Sequence, residues 1–155
     1  MSQPSPEAEA TIVQGLNGLL ADAVVLRYKL QSYHWNVRGP HFFDLHEQFE
    51  VLYTAWTDHI DAIAERIRAK EATPLPTLSR CVQQSRLAEE EGQPEARTMV
   101  ERTIADLLTI HAAARDVIDA AESAGDRTSV NLVDDICDEI AKKTWMLRSW
   151  HHGAP

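Results

Sequence analysis

The chain has 155 residues, of which 44% are hydrophobic and 25% are charged, and its formal net charge is −9. This length fits one domain with a sizeable core and is short for two. The acidic balance argues against a general affinity for nucleic acid or acidic membranes and favours the attraction of cations.

The first residues, MSQPSPEAEA, lack a basic region followed by an apolar stretch. No apolar run reaches the length of about 18 residues that crosses a membrane. We therefore expect a soluble cytoplasmic protein without a membrane-spanning segment. Cys81 and Cys137 form no CxxC pair, and we expect both to be free structural thiols.

Apolar residues at three- and four-residue steps predict four long amphipathic helices. The first helix is predicted to end at the Val-Arg-Gly-Pro stretch, because Gly39 breaks a helix and Pro40 restricts the residue before it. A turn around Gly125 separates the last two helices. The predicted helices cover about residues 7–36, 41–70, 94–124 and 129–150.

The link between the second and third helices is longer than the other connections. Residues 77–87 predict a short helix within this link, and an acidic, flexible segment follows it. Residues 1–10 and 151–155 are expected to form tails. Residues 1–155 are thus predicted to be a single all-α domain, a four-helix bundle with a crossover connection. Leu108 belongs to the apolar pattern of the third helix, and Trp145 is assigned to the core or to an interface.

Five side chains that can bind metal lie within 32 residues of each other: His34, His46, Glu50, Asp61 and Glu65. His46/Glu50 and Asp61/Glu65 are pairs four residues apart, so each pair projects from one helix face. Both pairs lie on the second helix, about 22 Å apart. No single ion can contact both pairs. If all five groups serve one site, its halves come from different copies of the chain across a symmetric interface.

Several segments resemble the Dps family of miniature ferritins, notably YHWNVRGPHFF, DLHEQFE, DHIDAIAERI, TLSR with QQSRL, and WMLRSW in the last helix. The resemblance covers about residues 12–150. It implies a ferritin-like bundle with a short extra helix in the long link. It further implies a homo-oligomer of twelve copies that forms a hollow shell, oxidises Fe(II) between two-fold-related subunits and stores ferric mineral inside.

Carried over residue by residue, the resemblance implies a half-site of His34, His46 and Glu50, completed by Asp61 and Glu65 of a neighbouring subunit and holding two iron ions. His34, His46, Asp61 and Glu65 would serve catalysis. Many relatives carry Asp where this chain has Glu50, whose longer side chain would bind through a water or shift the second iron. Imidazole and carboxylate suit Fe(II), and carboxylate oxygens stabilise Fe(III) still more strongly.

Taken singly, a histidine on a helix or an acidic pair four residues apart is more often a surface group than a ligand, and only the full constellation favours metal binding. His41 and His59 are assigned to the surface or to the support of ligands. Trp35 has two interpretations, packing at an interface or scavenging of one-electron oxidants. His151 and His152 are expected in an exposed tail.

An acidic group lies near the start of the last helix and also has two interpretations. In one, it is a solvated face whose carboxylates interact favourably with the positive end of the helix dipole. In the other, which the resemblance implies, it is a funnel that leads Fe(II) into a three-fold pore. Arg127 and Asn131 interrupt its pattern. The group consists of Asp126, Asp134, Asp135, Asp138 and Glu139.

Two functions of different class follow from the resemblance. One is a ferroxidase that oxidises Fe(II) with hydrogen peroxide, stores the product and suppresses hydroxyl-radical chemistry. The other is a structural nucleoid protein that coats and compacts DNA, which depends on tails rich in Lys or Arg. Residues 1–26 contain neither residue and nothing basic but histidine follows Arg148, so we expect the ferroxidase and no DNA binding.

Overall fold

The computed structural model describes residues 4–153 and folds them into five α-helices, with no strand in that range. The helical prediction and the short helix in the long link are confirmed. The helices are α1 (Pro6–Asn36), α2 (Phe42–Ala69), α3 (Leu78–Gln84), α4 (Ala96–Ser123) and α5 (Arg127–Gly153).

Capping groups, a proline and glycines explain where the helices begin and end. Ser5 caps α1, because its hydroxyl accepts a hydrogen bond of 3.2 Å from the amide of Ala8, and Pro6 occupies the first turn, where no amide donor is needed. Gly39 and Gly125 lie in the turns after α1 and α4 with φ angles of 109° and 73°, which glycine adopts at little cost.

The four long helices pack around one hydrophobic core. α1 packs mainly against α2 and also against α4, α4 packs against α5, and α3 lies on α1. This arrangement brings the end of α1 and the start of α2 side by side. The largest fully buried side chains include Ile12, Leu16, Leu26, Leu30, Tyr33, Leu45, Phe49, Ile63, Ile67, Met99 and Leu107.

Two predicted tails are shorter than expected. Residues 6–10, expected in the first tail, form the start of α1, because the Ser5 cap and Pro6 begin the helix early. α5 continues to Gly153, so His151 and His152 belong to its last turn. The remaining tail positions, 1–3 and 154–155, lie outside the described residues.

Two residues of the predicted apolar pattern are exposed in the single chain. Leu108 is 43% exposed and Trp145 is 63% exposed. Neighbouring helical residues point about 100° apart, and here Leu108 and Trp145 fall on the solvent side of their helices. Leu107 and Thr144 occupy the inward positions.

Among residues 4–153, α1 is the one helix with the length and hydropathy of a membrane-spanning helix. From the sequence we expected no such segment. Half of its most apolar 18-residue window is buried inside the bundle. The helix also carries Asp22 and Lys29, which are buried and ion-paired with Arg86 and Asp106. Packing in the core therefore accounts for its apolar face.

The long link is fastened to α1 by buried polar contacts. Asp22 accepts hydrogen bonds from the Arg86 guanidinium (2.6 Å), the Arg86 amide (2.7 Å) and the Ser85 hydroxyl (3.0 Å). Lys29 Nζ contacts Asp106 at 2.7 Å and donates to the carbonyl of Ala88 at 2.9 Å. Burial raises the pKa of Asp106 despite its lysine partner.

A third fastening joins Tyr33 to the acidic part of the link. The Tyr33 hydroxyl donates to Glu90 at 2.7 Å, and Arg102 donates to the same carboxylate at 2.6 Å. Burial and the bond to Glu90 raise the pKa of Tyr33, so the phenol stays a donor. Burial alone would raise the pKa of Glu90, but these two hydrogen bonds outweigh it and lower the pKa. The segment predicted to be flexible is thus anchored at Glu90.

Candidate metal centre

The end of α1 and the start of α2 bring His34 and His46 into contact. Their rings stack with centroids 3.8 Å apart and planes 14° from parallel. His34 Nδ1 lies 2.6 Å from the backbone oxygen of His46, and His46 Nδ1 lies 2.7 Å from the backbone oxygen of His34. Because a carbonyl oxygen can only accept, each Nδ1 carries the hydrogen and donates it.

This reciprocal pair of hydrogen bonds decides what each imidazole offers to a metal. A neutral imidazole with hydrogen on Nδ1 has its free lone pair on Nε2. Histidine ligands of metals characteristically donate their other ring N–H to a carbonyl or carboxylate, which fixes the tautomer and the orientation of the ring. His34 is buried and His46 is half-buried, so the pair is held in place before any ion binds.

Two further aromatic rings contact the histidine pair. Phe42 stacks on His46, with centroids 4.9 Å apart and planes 21° from parallel. The ring of Tyr53 meets His34 nearly edge-on, at 5.3 Å and 76°. The four rings form a column at the junction of α1 and α2, which we call the ring column: Phe42, His46, His34 and Tyr53.

The three predicted carboxylate ligands are exposed on α2. At 100° per residue, His46, Glu50, Asp61 and Glu65 fall on one stripe of the helix about 100° wide. Within residues 4–153, none of these three carboxylates has an ion-pair or hydrogen-bond partner from a side chain. The stripe therefore presents unneutralised negative charge to the surroundings.

Within one chain the five predicted ligands do not meet. In the part of the chain that the structure describes, no three His, Cys, Asp or Glu side chains come close enough to hold a metal ion. Of the five predicted ligands, His34 and His46 contact each other. This agrees with the spacing of about 22 Å between His46 and Asp61 along α2, at which one ion cannot contact both residues of the same chain.

His59 points away from this stripe, as the helical geometry predicts. Its Nε2 forms a short contact with Glu139 of α5, and its ring meets that of Trp56 edge-on at 5.0 Å. His59 and Glu139 therefore join α2 to α5. Glu139 is held by this contact, whereas it was predicted to belong to an acidic surface group.

The other histidines and Trp35 have different surroundings. His41 packs edge-on against Trp150 at 5.3 Å. His151 is half-buried and 2.7 Å from Glu101, so the predicted exposed tail is wrong for this residue. Trp35 is 56% exposed and meets Tyr28 edge-on at 6.2 Å.

Asp126 is a buried structural residue and not part of an acidic surface. It accepts hydrogen bonds from Arg66 (2.7 Å), from Lys70 (2.6 Å), and from the Ser129 hydroxyl (2.6 Å) and amide (3.1 Å). Lys70 also lies 2.7 Å from Glu9 Oε2, an ion-pair distance without the angles of a hydrogen bond. The Asp-Arg-Thr-Ser order that precedes the apolar run of α5 is the helix-capping signal that the sequence prediction missed.

Burial would raise the pKa of Asp126, but the bonds from Lys70 and Ser129 and the charge of Arg66 outweigh it and hold the pKa well below its usual range. Of the five acidic residues grouped near the start of α5, three are exposed: Asp134, Asp135 and Asp138. Both cysteines are buried and free, as predicted.

The chain is similar to known proteins over nearly its whole length. The Ferritin-like domain model matches residues 13–153. A DNA protection during starvation protein of Brevibacillus brevis is 36% identical over 135 residues, which cover 87% of this chain and 91% of that protein. The DNA protection during starvation protein 2 of Bacillus anthracis is 37% identical over 139 residues, covering 90% and 95%.

Solved structures agree with these relatives. The crystal structure of a Dps protein from Bacillus brevis superposes with a TM-score of 0.92 at 34% identity, covering 94% of this chain and 98% of that one. A Dps protein from Vibrio cholerae, described as a member of a broad superfamily of ferritin-like diiron-carboxylate proteins, gives 0.90 at 30% identity, covering 93% and 91%. From its helices, its histidine pair and these similarities, the chain belongs to the Dps family of ferritin-like proteins.

Proposed function

We propose that this protein is a ferroxidase and iron store, which oxidises Fe(II) at sites between two copies of the chain and keeps the ferric product inside a shell of twelve copies. The observation that carries the proposal is the stacked pair of His34 and His46, whose reciprocal Nδ1 bonds leave both Nε2 lone pairs free. The similarity to a ferritin-like diiron-carboxylate protein supports it.

The spacing on α2 supports a two-fold arrangement. The midpoint between His46 and Glu65 is also the midpoint between Glu50 and Asp61, and lies between positions 55 and 56. If two α2 helices pair antiparallel about a two-fold axis at that level, His46 of one copy faces Glu65 of the other, and Glu50 faces Asp61. Each such pair of copies would have two equivalent sites.

Exposed apolar side chains near the histidines support the same interface. Tyr28 and Trp35 on α1 are 61% and 56% exposed, and Leu78 on α3 is 75% exposed. Tyr28, Leu78 and Val82 line a cleft of about 260 Å³. Apolar groups of this size clustered on one surface characteristically mark a protein interface, and a second copy that completes the site would cover them.

In the proposed reaction Fe(II) is the substrate. His34, His46 and Glu50 of one copy and Asp61 and Glu65 of the other would hold two Fe(II) ions, with carboxylate oxygens favouring the Fe(III) product. Each ion gives up one electron, and hydrogen peroxide accepts both electrons. Its O–O bond breaks, and with two protons it becomes two molecules of water. Because both electrons are transferred at one site, no hydroxyl radical is released.

Fe(II) oxidation and particle mass together test this proposal. We expect twelve copies of 17.4 kDa, about 209 kDa by light scattering, and Fe(II) oxidation that peroxide accelerates. His46→Ala should abolish this acceleration. His59→Ala is the matched control, because it removes a histidine of the same helix that is engaged with Glu139. A single-chain mass, or equal rates for parent and His46→Ala, would overturn the proposal.

A further inference from the structure

The ring column contains two side chains to which the proposed reaction assigns no part. Phe42 stacks on His46, and Tyr53 meets His34 edge-on. The two imidazoles also cover each other. Each imidazole therefore has two ring neighbours, in addition to the hydrogen bond that its Nδ1 donates.

Ring orientation decides whether a histidine can bind an ion. Rotation of an imidazole by 180° about its Cβ–Cγ bond exchanges Nδ1 with Cδ2 and Nε2 with Cε1. In the rotated ring the bond to the backbone carbonyl is lost, and a carbon lies where the lone pair of Nε2 was. The two Nδ1 bonds oppose this rotation, and the close packing of neighbouring rings against each imidazole restricts the space that it needs.

Tyr53 is itself held in place. The guanidinium carbon of Arg27 lies 5.8 Å from the centre of the Tyr53 ring, a cation–π distance. Arg27 Nε donates to the Thr57 hydroxyl at 3.2 Å, and that hydroxyl donates to the backbone oxygen of Tyr53 at 2.8 Å. These contacts link Tyr53 and Arg27 through the next turn of α2.

We propose that Phe42 and Tyr53 are positioning residues, which hold His34 and His46 in the single ring orientation that presents both Nε2 atoms to the metal. Their role rests on the proposed function, because it assumes that the histidines bind Fe(II). Neither residue is proposed to contact the ion. They act through the imidazoles, so their removal should change metal affinity and ring orientation without removing a ligand.

Substitution by leucine removes the rings and keeps an apolar side chain. Phe42→Leu and Tyr53→Leu should each weaken binding of Co(II), a probe that peroxide turnover does not consume, by about tenfold in titration calorimetry, the usual effect of losing a group that orients a ligand. Both should raise the Fe(II) concentration for half-maximal rate more than they lower the maximal rate. Phe42→Tyr and Tyr53→Phe keep the rings and should retain the parental affinity.

The metal-free protein gives a second readout. In solid-state NMR of protein labelled with ¹⁵N in histidine, the parent should show two residues with hydrogen on Nδ1 and none on Nε2, assigned by their loss in His34→Ala and His46→Ala. In the leucine variants these signals should broaden or divide between tautomers. Phe49→Leu is the matched control, because Phe49 is a fully buried ring of α2 that packs on Tyr33.

The outcomes separate the two proposals. If His34→Ala leaves Co(II) binding unchanged, the proposed function fails. If His34→Ala abolishes binding but both leucine variants bind like the parent with unchanged NMR signals, the positioning role is wrong and the proposed function stands. An equal loss in Phe49→Leu would attribute the effect to general destabilisation and would also overturn the positioning role. Should one leucine variant fail to assemble, the other decides, since Phe42 contacts His46 and Tyr53 contacts His34.

Discussion

At the scale of single residues, Asp126 accepts four hydrogen bonds that connect two helices. It joins the end of α2 to the start of α5 through Arg66, Lys70 and the Ser129 cap. Because its folded pKa is depressed, its contribution to stability is complete above the unfolded pKa of about 4 and is lost as the pH falls through the folded value.

Asp126→Asn should therefore lower the free energy of unfolding at neutral pH by about 2–3 kcal/mol, because it leaves the buried Lys70 with Glu9 as its one remaining carboxylate. Urea unfolding from pH 7 down to pH 3 measures the effect, and the difference from the parent should shrink below about pH 4. Asp138→Asn, on the exposed face of α5, is the control. If the difference in unfolding free energy grew as the pH fell, it would contradict a lowered pKa of Asp126 in the folded protein.

The sequence predicted which residue types could bind metal, but not how the histidines contact each other. His34 and His46 are twelve positions apart on different helices. Their stacking depends on the turn at 37–41, which sets how α2 returns against α1, and no local pattern specifies that angle. Likewise, the group of five acids was chosen by charge alone, whereas burial separates Asp126 from Asp134 and Asp135.

At the scale of elements, the long helices could be predicted because each has one apolar face with helical spacing. Their ends were less predictable, since Ser5 and Asp126 cap α1 and α5 earlier than the apolar residues begin. The acidic composition of the long link predicts a flexible segment. The structure instead anchors it through Lys29, Tyr33 and Asp22 on α1, partners that are distant in sequence.

The anchoring of the link can be tested at Asp22. Asp22→Asn keeps the shape of the side chain and one oxygen for the Arg86 amide and the Ser85 hydroxyl, but it loses the charge and the Oδ2 acceptor that hold the Arg86 guanidinium. We expect faster tryptic cleavage after Arg86 and a loss of about 2 kcal/mol in stability, because the buried amide group would present a donor instead of an acceptor to the Arg86 guanidinium. Asp44→Asn, on the exposed start of α2, is the control. Unchanged cleavage at Arg86 would mean that apolar packing of Leu87 alone holds the link.

At the scale of the whole molecule, negative charge dominates. Twelve copies at −9 each would carry roughly −108. Five of the fifteen Lys and Arg side chains are already paired at 2.6–2.7 Å with carboxylates of their own chain, which leaves fewer for an external anion: Lys29, Arg66, Lys70, Arg86 and Arg102.

This charge should repel DNA. A gel shift with plasmid at near-physiological salt should show free DNA, while peroxide-dependent protection of the same DNA from iron-driven cleavage persists, because protection requires only the removal of Fe(II). Binding through phosphate contacts would depend steeply on salt concentration. Tight, salt-sensitive retardation by the iron-free protein would contradict the expectation.

The same charge should draw Fe(II) to the protein. Replacing the exposed Asp134 and Asp135 with Asn should slow oxidation at low salt much more than at physiological salt, where screening limits the field to about 8 Å. Glu122→Gln, exposed near the end of α4, tests whether any surface acid has the same effect. Equal slowing at both salt concentrations would indicate altered packing instead.

Complementation between two inactive variants tests whether each site combines groups from two copies of the chain. A His34→Ala/His46→Ala chain and an Asp61→Ala/Glu65→Ala chain should each be inactive alone. Refolded together in equal amounts, half of the two-fold pairs are hybrids, and each hybrid has one intact site of two. The mixture should therefore recover about a quarter of the parental Fe(II) oxidation rate. No recovery in particles shown to contain both chains would contradict the shared site.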